Sequence, residues 1–199
     1  MILRKYEYYG VILAWIRQLL REKKWAVISI DGRCGSGKTR LAEFLQSVFS
    51  CSVIHTDDYY LPFARRMKDW EQIPGGNMDF DRLLQEAVLP AKTGKTIEYR
   101  PYSCQREEYL PGTTLEHRPL TVIEGSYSQH PLLAERYDMR IFLTCSKEMQ
   151  RRRLQTRESD YFSVFEQRWI PMEEKYFYQF QIEQNSLLVI DTSDFFETE

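Results

Sequence analysis

The sequence predicts an α/β fold: a five-stranded parallel sheet with helices on both faces and a substrate-side insert. Three observations predict it. Short apolar, β-branched runs alternate with stretches of helical period, the pattern of a parallel sheet covered on both sides. A glycine-rich loop joins the first of these runs to a strongly periodic helix. Between residues 57 and 119 the alternation lapses, and Pro62, Pro74, Pro90, Pro101, Pro111 and Pro119 punctuate that stretch.

In chain order, residues 11–23 read as an amphipathic helix with Ile12, Trp15, Ile16, Leu19 and Leu20 on one stripe. Residues 25–30 read as a buried strand ending at Asp31-Gly32. Residues 39–49 carry Leu41, Phe44, Leu45, Val48 and Phe49 at i, i+3, i+4, i+7 and i+8, a helical face. Residues 52–56 form the second strand. Inside the insert, residues 79–89 make one clear helix, with Asp79 as its N-cap. Residues 96–99 are extended. Strands then follow at 120–124, 139–144 and 187–190, with helices at 130–136 and 147–157. Residues 160–180 read as an aromatic helix kinked at Pro171. Its Phe162, Phe165, Trp169, Tyr176, Phe177 and Phe180 read as core.

A chain of 199 residues fits one domain, 1–199, with 57–119 as an acceptor-side insert. Lys and Arg number 27 against 29 Asp and Glu, so no basic excess marks a nucleic-acid partner. Cys34, Cys51, Cys104 and Cys145 are scattered and form no CxxC pair, which points to reduced thiols and a cytoplasmic location. The apolar run 11–16 is too short to span a membrane and is broken by Arg17. The three histidines lack metal-ligand spacing, and His55 reads as a strand-end residue. A homo-oligomer stays open.

The strongest signal is Gly32-Arg33-Cys34-Gly35-Ser36-Gly37-Lys38-Thr39, which fits G-x-x-x-x-G-K-[ST] at every fixed position. Glycines let the backbone turn its N–H groups inward, onto phosphate oxygens at the positive end of the next helix. Lys38 can reach the β- and γ-phosphates, and the Thr39 hydroxyl can bind Mg²⁺. The motif follows a predicted strand and opens a predicted helix, so the chain reads as a three-layer P-loop NTPase fold that binds ATP. Cys34 near a helix N-terminus reads as a thiol of lowered pKa whose modification would block ATP. The guanine motif N-K-x-D is missing, and the size suits a small-metabolite kinase. Such an enzyme needs a base for the acceptor hydroxyl and cations over the moving phosphoryl group. Asp57 and Asp58 stand just past the second strand, at the sheet edge where ligands gather. Arg153 and Arg157 share one helix face at i, i+4.

His55-Thr56-Asp57-Asp58-Tyr59-Tyr60 resembles the acceptor-site motif of the uridine kinase family, within the wider phosphoribulokinase/uridine kinase group. Residues 75–79, 99–102 and 122–125 resemble further segments of that family, and Arg153 and Arg157 fall where it has lid arginines. The resemblance covers residues 25–192. It implies Asp57 as general base, Asp79 on the acceptor's sugar, Tyr102 near its base and Tyr60 in the acceptor site. It also implies Glu124 near Mg²⁺, and Lys38, Arg153 and Arg157 serving the transfer from a lid region over 147–160. The implied acceptor is nucleoside-like, with the 5′-hydroxyl of uridine or cytidine first and pantothenate or nicotinamide riboside next. Leu154 stands where a second lid arginine is common. That departure keeps a slow-turnover nucleotide-binding regulatory protein as the rival reading.

Overall fold

The computed structural model describes residues 5–195; residues 1–4 and 196–199 of the predicted domain lie outside the described residues. The central sheet holds β1 (Ala26–Gly32), β2 (Cys51–His55), β7 (Leu120–Glu124), β8 (Met139–Thr144) and β9 (Leu188–Asp191). The four remaining strands belong to the insert: β3 (Ile97–Tyr99) pairs with β6 (Thr113–Leu115), and β4 (Tyr102–Ser103) with β5 (Glu108–Tyr109). The sheet order is β2-β7-β1-β8-β9, and every pairing within it is parallel. This is the predicted five-stranded sheet, with each strand found within a residue or two of its predicted place.

Strand alternation sorts the apolar side chains onto two faces. Ile28, Ile30, Val122, Ile141 and Leu143 pack with α1 (Lys5–Glu22) and α2 (Lys38–Val48). Val27, Ile54, Ile123 and Phe142 pack with the insert helix and the last long helix. Each fully buried aliphatic side chain contributes about 1.5–3 kcal/mol of burial free energy. The stripe of α1 is narrower than its periodicity implied: Ile12 and Ile16 are buried, while Trp15 is 43% exposed.

Two helices depart from plain α geometry, and each departure precedes a proline. The insert helix opens with Phe80–Arg82, passes through a π turn at Leu83–Val88 and closes as Leu89–Thr93, which contains Pro90. The last long helix has a π turn at Phe165–Trp169 before Ile170–Phe180, which contains Pro171. Proline lacks the N–H for the usual i→i−4 bond, and a wider turn upstream absorbs the loss. The expected kink at Pro171 therefore takes the form of a π turn. Asp79 caps the insert helix as predicted, its side chain accepting from the Arg82 N–H.

β1 is central, and its two neighbours β7 and β8 run parallel to it. The crossover from β1 to β2 passes over β7, so the chain leaves β1 beside a crevice at the carboxyl edge of the sheet. That is where an open parallel sheet places its ligands.

Candidate active site

The glycine-rich loop hangs from the carboxyl end of β1. Gly32 is pressed against β8: at its φ of +142°, an added Cβ would lie 2.0 Å from the Leu143 carbonyl oxygen. Gly37, at φ 94°, starts α2 with no side-chain cap bond. The first-turn N–H groups of α2 therefore keep their capacity for an anion, favoured there by the helix dipole. Lys38 curls over the loop, its Nζ donating to the carbonyls of Gly32 at 2.8 Å and Arg33 at 3.2 Å.

A cleft of about 1090 Å³ opens over this loop. Drug-sized ligands fill pockets of roughly 300–1,000 Å³, so the space suits a nucleotide together with a small acceptor. Gly35, Gly37, Lys38 and Thr39 form one wall, and Glu124 to Tyr127 form the floor. Asp57, Tyr60, Phe63, Arg66, Asn77 and Cys104 form the insert wall. Arg152, Arg153 and Arg157 come from the helix Lys147–Arg157, and Phe165, Arg168, Trp169 and Glu173 from the last long helix.

At the floor, β2 and β7 bring His55 and Glu124 into register. The two side chains meet at 2.5 Å, Nδ1 to Oε1. That bond is the largest cause raising the imidazole pKa above its ordinary value. The same carboxylate oxygen accepts from the Thr39 hydroxyl at 3.3 Å. A hydroxyl and a buried carboxylate supply the hard oxygen donors that Mg²⁺ takes, so the residues fit the ion. Asp57 lies on the 3₁₀ turn Thr56–Tyr59 directly after β2, exposed to the cleft. Its Oδ1 accepts from the Tyr60 hydroxyl at 2.9 Å. Asp58, by contrast, is bound by the Tyr99 hydroxyl of the insert at 3.0 Å. The aspartate pair is thus divided, one member facing the cleft and one tying down the insert.

The sequence model of the phosphoribulokinase/uridine kinase family matches residues 27–176. The chain belongs to that family. No curated protein matches its sequence. The fold is shared with the structure titled as a possible uridine kinase from Bacillus stearothermophilus, with a TM-score of 0.66 and 20% identity over 90% of this chain and 99% of that one. It is also shared with the D-glycerate 3-kinase from Cryptococcus neoformans, with a TM-score of 0.52 and 13% identity over 76% of this chain and 78% of the other. At these identities the likeness concerns the fold. The chain is accordingly a small-molecule phosphotransferase of the P-loop kinase type.

Several side chains expected in this family site turn elsewhere. The Arg33 guanidinium points back to the last long helix, holding Glu174 at 2.6 and 3.0 Å and Thr144 at 2.5 Å. Its own N–H bonds Leu143 O, so Arg33 offers the cleft neither donor. The Cys34 thiol is buried, and burial, then the charge of Glu173, pushes its pKa up. That corrects the expected low-pKa thiol: the pull of the helix N-terminus is outweighed by desolvation. Arg153 donates to Gly35 O at 3.1 Å and to Thr192 O at 2.6 Å, clasping the loop to the segment after β9. Arg157 lines the cleft beside Glu158, at 3.0 Å. Asp79 is buried and accepts from Arg65 at 3.1 Å as well as capping its helix. Tyr102 is buried edge-on against Tyr109. Neither Asp79 nor Tyr102 lines the cleft. Leu154, standing in place of an arginine, is fully buried beside Gly35.

Other side chains of the site escaped the sequence reading. Glu173 is 5% exposed, and its carboxylate accepts from the Cys34 N–H at 3.0 Å and the Ser126 hydroxyl at 2.5 Å. It braces the phosphate loop against the last long helix. Asp31 sits behind the loop and accepts from Gly32 N, Gln129 N and the Tyr176 hydroxyl. Burial raises its pKa to about 6. Phe165 and Trp169, expected in the core, line the cleft instead. Tyr176 and Phe177 are core, as expected.

Proposed function

We propose that the chain transfers the γ-phosphoryl group of Mg·ATP to the hydroxyl of a small acceptor. The observation that carries this reading is a single cleft lined by the phosphate loop, the Thr39–Glu124 pair and Asp57. The loop N–H groups and Lys38 hold the phosphate tail, and Thr39 with Glu124 holds the ion. When bound, Mg²⁺ neutralises charge on the β- and γ-phosphate oxygens. Asp57 accepts the proton of the acceptor hydroxyl, while its bond from Tyr60 fixes which carboxylate oxygen is turned outward. Arg157 lies over the cleft, where a cation offsets charge on the moving group. Arg153 acts as a positioning residue through Gly35.

The finer reading that the family resemblance implies is a nucleoside acceptor, uridine or cytidine, with pantothenate and nicotinamide riboside beside it. Its supports are Asp57 and Tyr60. Asp79 and Tyr102, the residues implied for the sugar and the base, stand off the cleft and give it none. One fold hosts many acceptors, and the similar structures include a possible uridine kinase and a D-glycerate 3-kinase. The cysteines Cys34, Cys51, Cys104 and Cys145 are free thiols, which suits work in the cytoplasm. No described helix is long and apolar enough to cross a membrane.

Acceptor-dependent ADP release tests the reading. Purified protein with Mg·ATP is assayed against nucleosides, pantothenate and nicotinamide riboside, then against a wider set of alcohols. At least one acceptor should raise ADP release well above the blank. Release that no alcohol raises would instead favour a nucleotide-binding regulatory protein.

A further inference from the structure

We propose that the acceptor is an anionic alcohol, a hydroxylated carboxylate or phosphate, held at the insert wall by Arg66. The inference rests on the kinase reading above and names the chemical class of its acceptor. Arg66 lines the same cleft as Asp57. Its guanidinium is held by two rings and two hydrogen bonds. It lies 4.1 Å from the Phe63 ring centre and 4.9 Å from that of Trp70. Its Nε donates to Leu61 O at 2.9 Å, and its Nη2 to Cys104 Sγ at 3.4 Å. Among the described residues, no carboxylate lies within ion-pair distance of it. A partly buried, rigidly held guanidinium without a counter-ion is a preorganised anion site, because its geometry costs nothing further when the anion arrives.

Asn77 adds an independent observation. It is 1% exposed, it lines the cleft, and its Oδ1 has no hydrogen-bond partner. Its Oδ1 is closed off from the cleft as it stands, and a turn of the amide toward an alcohol donor would relieve the cost of leaving it unmatched. Arg168, which reaches the cleft from the last long helix, stacks on Trp70 and Trp169 but is neutralised by Glu71. Among the described residues of the insert wall, the cation without a carboxylate is Arg66. A neutral nucleoside would leave it unmatched.

In the transfer itself, the acceptor's hydroxyl oxygen bonds to the γ-phosphorus as the bond from that phosphorus to the bridging oxygen breaks. ADP takes the electron pair of the broken bond, and the hydroxyl proton goes to Asp57. The anionic group stays unreacted in the grip of Arg66, which fixes the distance from anion to reacting hydroxyl.

The test is acceptor-dependent ADP release by wild type, Arg66→Gln and Arg66→Lys on three arms: uncharged alcohols (uridine, cytidine, glycerol), hydroxy acids (D-glycerate, D-gluconate, pantothenate) and sugar phosphates. Turnover should be confined to one of the two charged arms, and which arm it is separates carboxylate from phosphate. Arg66→Gln should raise the acceptor KM about 10- to 100-fold, the scale of one charge-assisted hydrogen bond, with the KM for Mg·ATP unchanged. Arg66→Lys should fall between. Efficient turnover of an uncharged alcohol by wild type would overturn the proposal without any variant. So would an acid whose KM ignores Arg66→Gln. Thermal-shift titration with the same compounds in the presence of Mg·ADP separates the two layers of the argument. Saturable stabilisation by an anion, lost in Arg66→Gln, with no turnover on any arm would sink the kinase reading and keep the anion site. No stabilisation and no turnover by any anion would sink the anion site.

Discussion

On the donor side of the cleft, residues 32–39 are contiguous in the chain and work chiefly through backbone N–H groups, one lysine and one hydroxyl. On the acceptor side, Asp57, Arg66, Asn77, Cys104 and Trp169 come from separate segments and work through side chains. Backbone geometry is set by a few glycines and tolerates wide change elsewhere, so the donor half has one design. Side chains gathered from distant segments can be exchanged one at a time, so the acceptor half can be re-aimed while the phosphoryl chemistry stays the same. The insert shows this division in its own construction: Asp58 ties it to Tyr99, and Lys175 reaches across to Gln72 O at 2.5 Å.

The largest effect should come where the two halves meet. Asp57→Asn should lower transfer by about 10²–10⁴, the usual contribution of a general base, with Mg·ATP affinity intact by calorimetry. A fall of less than tenfold would remove Asp57 from the chemistry. Lys38→Met should act on the donor half alone. It should lower kcat by about 10²–10³, the scale of one lost electrostatic donor, and weaken nucleotide binding, while the acceptor KM stays put. A change confined to the acceptor KM would break the comparison.

Glu173 sharpens it, because this residue makes the donor half depend on a distant helix. Glu173→Ala leaves the Cys34 N–H and the Ser126 hydroxyl without their acceptor. The expected loss is about 1–3 kcal/mol, read as a lower urea midpoint, with Glu173→Gln partly restoring it. Equal stability of the alanine variant and wild type would show the brace to be idle.

The smallest effect lies outside both halves. His130 stacks on Phe80 with ring centres 4.0 Å apart, and burial lowers its pKa from 6.5 to about 4. The unfolded chain then binds the proton first as pH falls. Stability from the neutral imidazole is whole above pH 6.5 and drains away between about 6.5 and 4. The urea midpoint of wild type should drop between pH 7 and 5 by more than that of His130→Phe. Parallel drops in both would contradict the assignment.

The donor half was largely legible in the sequence because its signals are local. The loop motif, the strand before it and the helix after it occupy adjacent residues, and the sheet strands are short apolar runs whose burial needs no knowledge of partners. The misreadings share a physical origin in long-range pairing. Arg33 is drawn away by Glu174, and the Cys34 N–H is taken by Glu173 from 139 residues along the chain. Nothing in the local pattern marks Glu173 as a buried carboxylate. Phe165 and Trp169 read as core because large aromatic rings are usually buried. The π turn at Phe165–Trp169 adds a residue to one turn, which shifts the apolar stripe by about 100°. Arg66 and Asn77 sit in a loop-rich stretch, where no periodicity says which way a side chain faces.

The central claim is that one cleft hands a phosphoryl group directly from nucleotide to alcohol. Its most direct test is to incubate the protein with Mg·ATP carrying ¹⁸O in the γ-phosphoryl oxygens, together with the acceptor identified by ADP release. Mass spectrometry then reads where the label goes. Labelled phosphoryl groups on the acceptor oxygen, growing in step with ADP, are the predicted result. Label recovered only as inorganic phosphate, with the acceptor unchanged, would contradict the account.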